Sequence, residues 1–133
     1  MDTRPLPGRV LPRLFRRLMA VNQEAFAAGH FEVAFHALMA ALHAAGDQDD
    51  EAAIETVRQT AADQDAQLTA RAPPHRLSGR VAAEHGGRGV FETAVTHADA
   101  LLARVRAGKA LADARRRHGP PAAREHPLRG NDE

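Results

Sequence analysis

Eight histidines in a chain of 133 residues are the side chains best suited to chemistry here. Glu32, His36 and His43 fall within roughly 40° of one another when a helix advances by 100° per residue. Glu32 and His36 are i, i+4 neighbours, close enough to pair or to share a metal ion. His97, much later in the chain, can complete a three-ligand set if its helix lies beside theirs. The stripe stands well away from the large apolar residues of its own helix. The plainer expectation is therefore a solvated or boundary position with no metal and no cofactor. Di-iron bundles repeat Glu-x-x-His on two helices, whereas here the spacing is Glu-x-x-x-His and no second copy follows. His75, His85, His118 and His126 show no ligand spacing.

Other catalytic constellations are missing. Cysteine is absent, which excludes thiol chemistry, disulfides and cysteine-ligated metals. The run GGRG at 86–89 follows no strand, so it is no phosphate loop. The one serine, Ser78, sits in no Gly-x-Ser-x-Gly elbow and suits a helix cap. Asp49/Asp50 and Asp63/Asp65 suit capping and solubility on a solvated helix. The expectation is a protein that is not an enzyme.

Basic residues pose a second question. Residues 1–46 carry five Arg against three acids, and residues 71–133 carry twelve basic residues against seven acidic ones. Between them, 47–70 set Arg58 alone against seven acids. Such a segment can attract its own basic flanks or offer an acidic stripe to a basic partner, and the first is the simpler reading. Arg13, Arg16 and Arg17, together with Arg104, Arg106, Lys109, Arg115, Arg116 and Arg117, would make a phosphate-binding surface if their helices adjoined. The net charge of +1, the acidic segment and the lack of a helix-turn-helix pattern argue against nucleic acid as the partner.

The elements that must position these residues are helical. There are 29 Ala, 17 Arg and 12 Leu but only 8 Val and 1 Ile, a helix-forming balance. The spacing predicts a first helix over 12–28, with Pro12 at its start and Gly29 as a left-handed cap. A second starts at about His30 or Phe31 and stops at Gly46. Asp47, Asp49 and Asp50 then supply capping oxygens for a third that runs to about Ala70, where Pro73 and Pro74 block continuation. Ser78 can cap a short turn over 79–85. A fourth main helix spans about 90–118. These divisions give an N-terminal arm over 1–11, a bundle domain over 12–118 and a disordered tail over 119–133. The expected fold is an all-α, up-and-down-like four-helix bundle.

Wheel positions assign the faces. Phe31, Ala34, Phe35, Leu38, Leu42 and Ala45 share one face of the second helix. Val33, Ala37, Ala40 and Ala44 share another, so this helix is expected to be central. Leu11, Leu14, Phe15, Leu18, Val21, Ala25 and Phe26 line the first helix, with Asn22 inside their arc. A buried Asn22 must hydrogen-bond across to another helix or to water. Phe91, Ala94, Val95, Ala98, Leu101, Leu102 and Val105 line the fourth. The third offers only Ile54, Val57 and Leu68 and is expected at the edge. Half of the apolar residues are alanine, so the core is thin and self-association through a leftover apolar or Ala-rich face is expected, making a homo-oligomer.

The stretch AFAAGHFEVAFHALMAALHAAGD (25–47) resembles a tetratricopeptide-repeat helical hairpin. Gly29 stands at the turn, with Phe31, Ala34, Leu38, Ala41 and Leu42 following in that family's pattern. Nothing repeats at its period of about 34 residues. The resemblance implies a helical hairpin of that geometry within a protein-binding module. The run from His36 to Gly46 looks like a histidine-phosphotransfer domain, itself a four-helix bundle. His36 and Gly46 fit that pattern, while Met39 and Ala40 replace its Lys and Gly. That likeness implies His36 as a phosphoacceptor.

No apolar run approaches the ~20 residues that span a bilayer, and the N-terminus shows no signal-peptide pattern. A cytoplasmic location without membrane contact is the expectation.

Overall fold

Each long run of Ala, Leu and Arg between turn residues is helical. The computed structural model describes residues 7–119. It contains α1 (Pro7–Ala27), α2 (Phe31–Asp47), α3 (Glu51–Arg71), the short α4 (Gly79–Glu84) and α5 (Val90–His118), with no strand among the described residues. The expected tail from residue 120 onward lies outside them. No described helix is long and apolar enough to cross a membrane.

Two tight turns set the up-and-down course. After α1, the Gly29 N–H donates to the Phe26 carbonyl and the His30 N–H to the Ala25 carbonyl. This is the paired closure that needs a left-handed residue, and Gly29 supplies it with φ of +84°. After α2 the same pair of bonds forms at Asp49 and Asp50, onto Gly46 and Ala45. The left-handed residue there is Asp49, at φ 49°, a conformation Asp tolerates better than most. Gly46, expected to stop the helix, instead lies buried inside it, where a Cβ would stand 3.4 Å from a Leu101 methyl. Asp50 then caps α3, its side chain accepting from the Ala53 N–H at 3.1 Å. Ser78 caps α4 as its sequence position predicts, accepting from the Val81 N–H at 3.2 Å.

The N-terminal arm expected over 1–11 is corrected in part: α1 already begins at Pro7. Pro7 occupies the first helical position, where its missing N–H costs nothing. Pro12 lies inside the helix and removes a single ladder bond in the second turn, and Val10 and Leu11 just before it are half-buried.

α2 is central and packs against α1, α3 and α5. Among the described residues nine of the eighteen buried apolar ones are alanine, which lets the helices approach closely. α3, expected at the edge, is instead packed between two neighbours. Ile54, Val57, Ala61, Gln64 and Leu68 recur at intervals of three and four, and all are buried between α2 and α5. α1 packs chiefly on α2, and its apolar arc is wider than that contact, so Leu14 and Val21 remain exposed. Near the connection to α5, two backbones meet. A Cβ on Gly89 would lie 3.3 Å from the Gly79 Cα and nitrogen and from the Leu77 carbonyl, a tight fit that the backbone would have to yield to accept.

Candidate functional site

Three surfaces carry the side chains singled out by the sequence: the outer histidine stripe of α2, the arginine groups of α1 and α5, and the uncovered flank of α1/α2.

The histidine stripe is divided. Glu32 is ion-paired with Arg76 of the α3–α4 connection, so it does not pair with His36 one turn on. His36 is exposed, its ring tilted against Phe35 at 5.4 Å between centroids. His43 meets His97 of α5, with centroids 5.8 Å apart and an edge-to-face angle of 78°. α2 and α5 run parallel, because the same register also pairs Phe35 with Phe91 and Gly46 with Leu101. Of the four residues the sequence grouped, the fold thus joins two across helices and separates the others. Among the described residues no group of three or more His, Asp or Glu is placed to hold an ion.

His75, which had no sequence signal, is packed. Its ring stands edge-on to Phe31 at 5.1 Å, and its Nδ1 accepts from the Leu77 N–H at 3.0 Å. An aromatic residue opening α2 and a histidine after a double proline are too far apart in the chain for periodicity to link them.

The arginine groups do not converge. The antiparallel register that places Asn22 beside Ala34 sets Arg13 level with His43, and hence with His97. Arg115, Arg116 and Arg117 lie about 18 residues further along α5, roughly 27 Å at 1.5 Å per residue. All six are exposed, and Arg116 pairs with Asp113. The middle of α5 is turned toward acidic α3 instead. Glu51 accepts from the Arg106 Nε at 2.8 Å and the Lys109 Nζ at 3.4 Å, and Arg58 pairs with Asp99. The Arg106 and Lys109 hydrogen bonds hold the Glu51 carboxyl below the usual range. The matching bonds to Asp99 and Glu51 hold Arg58 and Arg106 further toward their charged forms. Within the acidic segment, Glu51 is answered by α5 and Glu55 by Arg58, while Asp50 caps its own helix.

α3 carries one buried amide, Gln64, and one buried carboxylate oxygen, on half-buried Asp65. Asn22 and Gln64 exchange amide hydrogen bonds, Asn22 Nδ2 to Gln64 Oε1 at 3.0 Å and Gln64 Nε2 to Asn22 Oδ1 at 2.7 Å. Asn22 Nδ2 also donates to the Ala34 carbonyl at 2.8 Å. The cross-helix bond expected of Asn22 is thus present, and it ties α1, α2 and α3 together. Gln64 was missed because it stands among the polar residues Asp63, Asp65 and Gln67 and so looks solvated; the four-residue spacing to Leu68 was its signal. Asp65 has one buried oxygen, Oδ1, with no hydrogen-bond partner. Burial first, then repulsion from Glu92, pushes its carboxyl up from the ordinary range.

Ser78, the one hydroxyl of its kind, donates to the Pro73 carbonyl at 2.6 Å and accepts from Val81. Both functions of its oxygen are engaged in capping.

The α1/α2 flank is apolar and uncovered. Leu14, Val21 and Val33 are 39%, 47% and 54% exposed. Between the two helices lies an open groove of about 390 Å³ lined by Val21, Glu24, Ala25, Ala28, His30 and Val33. Comparison with models of protein families, with curated proteins and with solved structures yields no match to this chain.

Proposed function

We propose that this chain is a non-enzymatic helical interaction module that binds a second copy of itself through the outer face of the α1/α2 hairpin. The observation that carries the reading is the clustering of Leu14, Val21 and Val33 on that face, where three of the four exposed large apolar side chains of the described residues lie. α1 is the peripheral helix, so a partner laid on it completes the burial that its wide apolar arc calls for. The face is also self-complementary. A two-fold contact places the same patch on both sides. If two α1 helices cross antiparallel near Val21, Arg17 of each copy faces Glu24 of the other, and Leu14 faces the small Ala28. Arg17, Glu24 and Ala28 are all exposed in the single chain. The likeness of residues 25–47 to a tetratricopeptide hairpin supports a protein-binding role on the same element.

Sedimentation equilibrium tests the reading. The unaltered chain should weigh as a dimer at high concentration. Val21→Glu, which places charge at the centre of the contact, should weigh as a monomer with unchanged helical circular dichroism. A strictly monomeric wild type at high concentration would overturn the proposal, as would a Val21→Glu protein that remains dimeric.

A further inference from the structure

We propose that His43 and His97 form a two-histidine clip that holds a first-row divalent transition ion between α2 and α5. The two residues are 54 positions apart, yet the fold sets their rings 5.8 Å from centroid to centroid. An imidazole nitrogen binds zinc at about 2.0–2.1 Å. Two rings on one ion then stand roughly 4.5–6.4 Å apart for ligand angles between a right angle and a straight line. The observed separation lies within that span without any movement of backbone.

The core fixes the spacing on both sides of the pair. Phe35 meets the fully buried Phe91 one way along the helices, at 5.9 Å between centroids. Buried Gly46 takes the Leu101 side chain the other way. A pair held by packed helices is preorganised in a way that two histidines on a loop are not. Both rings are exposed, so either can turn about its terminal torsion to aim a nitrogen inward without disturbing the core.

The donor set also selects the ion. Imidazole suits Zn²⁺, Cu²⁺ and Ni²⁺, whereas Mg²⁺ and Ca²⁺ want carboxylates and carbonyls. There is no thiolate in the chain and no third His, Asp or Glu grouped with the pair among the described residues. The remaining coordination positions therefore go to water or to a donor from outside. Such a site is open, in contrast to the closed four-ligand sites that build folds. Its effect is to staple α2 to α5, a contact with fewer close approaches than α2 has with α1.

The test is thermal unfolding of the full chain with Zn²⁺ or Ni²⁺ added, against the same chain with a chelator. An ion that binds only the folded state raises the midpoint, and the rise grows with the logarithm of ion concentration once the site is saturated. The rise should be lost in His43→Asn and in His97→Asn, and kept in His36→Asn. Each variant should show wild-type helical circular dichroism without metal, since all three side chains are exposed. Titration calorimetry with Ni²⁺ gives a second readout, one ion per chain in the wild type and none in the double variant. A rise that survives both His43→Asn and His97→Asn, or that disappears with His36→Asn, overturns the proposal. So does the absence of Ni²⁺ binding to the wild type. Sedimentation of Val21→Glu with the ion present separates this site from the dimer contact: the clip requires that monomer to bind one ion. Binding that occurs only when two chains associate would place the ligands across copies and overturn it as well.

Discussion

At the end of the bundle where α1 stops and α5 begins, four of the five phenylalanines meet. Phe26 packs edge-on to Phe31 at 5.0 Å and to Phe91 at 5.9 Å, and Phe35 closes on Phe91 from the other side. At the opposite end, where α3 begins, smaller side chains such as Ile54 and Val105 fill the core, and exposed ion pairs join Glu51 to Arg106 and Lys109. Past them α5 runs on for nine residues, with Leu111 exposed. Solvent screens ion pairs of the second kind, and they add little to stability. Aromatic side chains bury far more apolar area and gain further from edge-on geometry. A core lined half by alanine can be firm where its few large side chains gather, and the rest of the chain is then free to leave faces open. The uncovered flank of α1/α2 and the extended end of α5 are those faces.

The largest expected effect lies at the aromatic end. Phe91 is fully buried and touches two other rings, so Phe91→Ala should cost about 3–5 kcal/mol. Set against a total of roughly 5–15 kcal/mol for a domain of this kind, that brings the chain close to unfolding. Denaturant unfolding followed by circular dichroism measures it. A loss under about 1 kcal/mol would mean that this end is no firmer than the other, and the comparison would fail.

Next in size is the amide pair that links α1 to α3. Asn22→Ala removes partners from Gln64 and from the Ala34 carbonyl, and should cost about 1–3 kcal/mol. Replacing both amides, Asn22→Leu with Gln64→Leu, should recover much of that loss, because no buried amide is then left unpaired. Unfolding midpoints of the single and double variants decide this. A double variant worse than the sum of its parts would show the amides fixing the register of α1 and α3, beyond filling space.

How far the sequence reaches is clearest in these same residues. The five helices, the Gly29 turn, the Asp50 and Ser78 caps and the buried arc of α5 all follow from local chemistry, and local chemistry is what a single sequence displays. Asn22 is legible as a buried polar group because it interrupts an apolar arc. Its partner Gln64 is not, since the pairing depends on how α1 and α3 are brought together. The burial of α3, expected at the edge, has the same origin. Counting large apolar residues favours α1, but Ile54, Val57 and Leu68 are so spaced that a narrow stripe is buried completely, while a broad arc on α1 exceeds the width of its single main neighbour. The histidines show both outcomes. The wheel placed Glu32, His36 and His43 together on one helix, and Arg76, from a connection 44 residues on, takes Glu32 away. His97 was conditional on α5 lying beside α2, and that condition is met at His43.

The finest comparison is between two carboxylates of α3, one near each end. Hydrogen bonds from Arg106 and Lys109 hold Glu51 below its ordinary range. Burial, with repulsion from Glu92, raises Asp65 above its own. The signs in stability are opposite. A carboxyl whose folded value is lowered adds stability above its unfolded value, and that stability is lost as pH falls through the folded value. A carboxyl whose folded value is raised favours the folded state when protonated, and this contribution is lost as pH rises through the folded value. At neutral pH, Glu51→Gln should therefore unfold at a slightly lower temperature than the wild type, and Asp65→Asn at a slightly higher one. Both differences should shrink as pH falls, that of Asp65 first because its folded value is raised, and that of Glu51 only as pH passes through its lowered folded value. Added salt should shrink the Glu51 difference more, because its partners are exposed cations, whereas the Asp65 difference arises first from desolvation, which salt does not relieve. Thermal unfolding of the three proteins across pH, at low and high salt, measures all of this. If Asp65→Asn unfolds below the wild type at neutral pH, the unpartnered Oδ1 is no burden to the fold, and the contrast between the two ends of α3 does not hold.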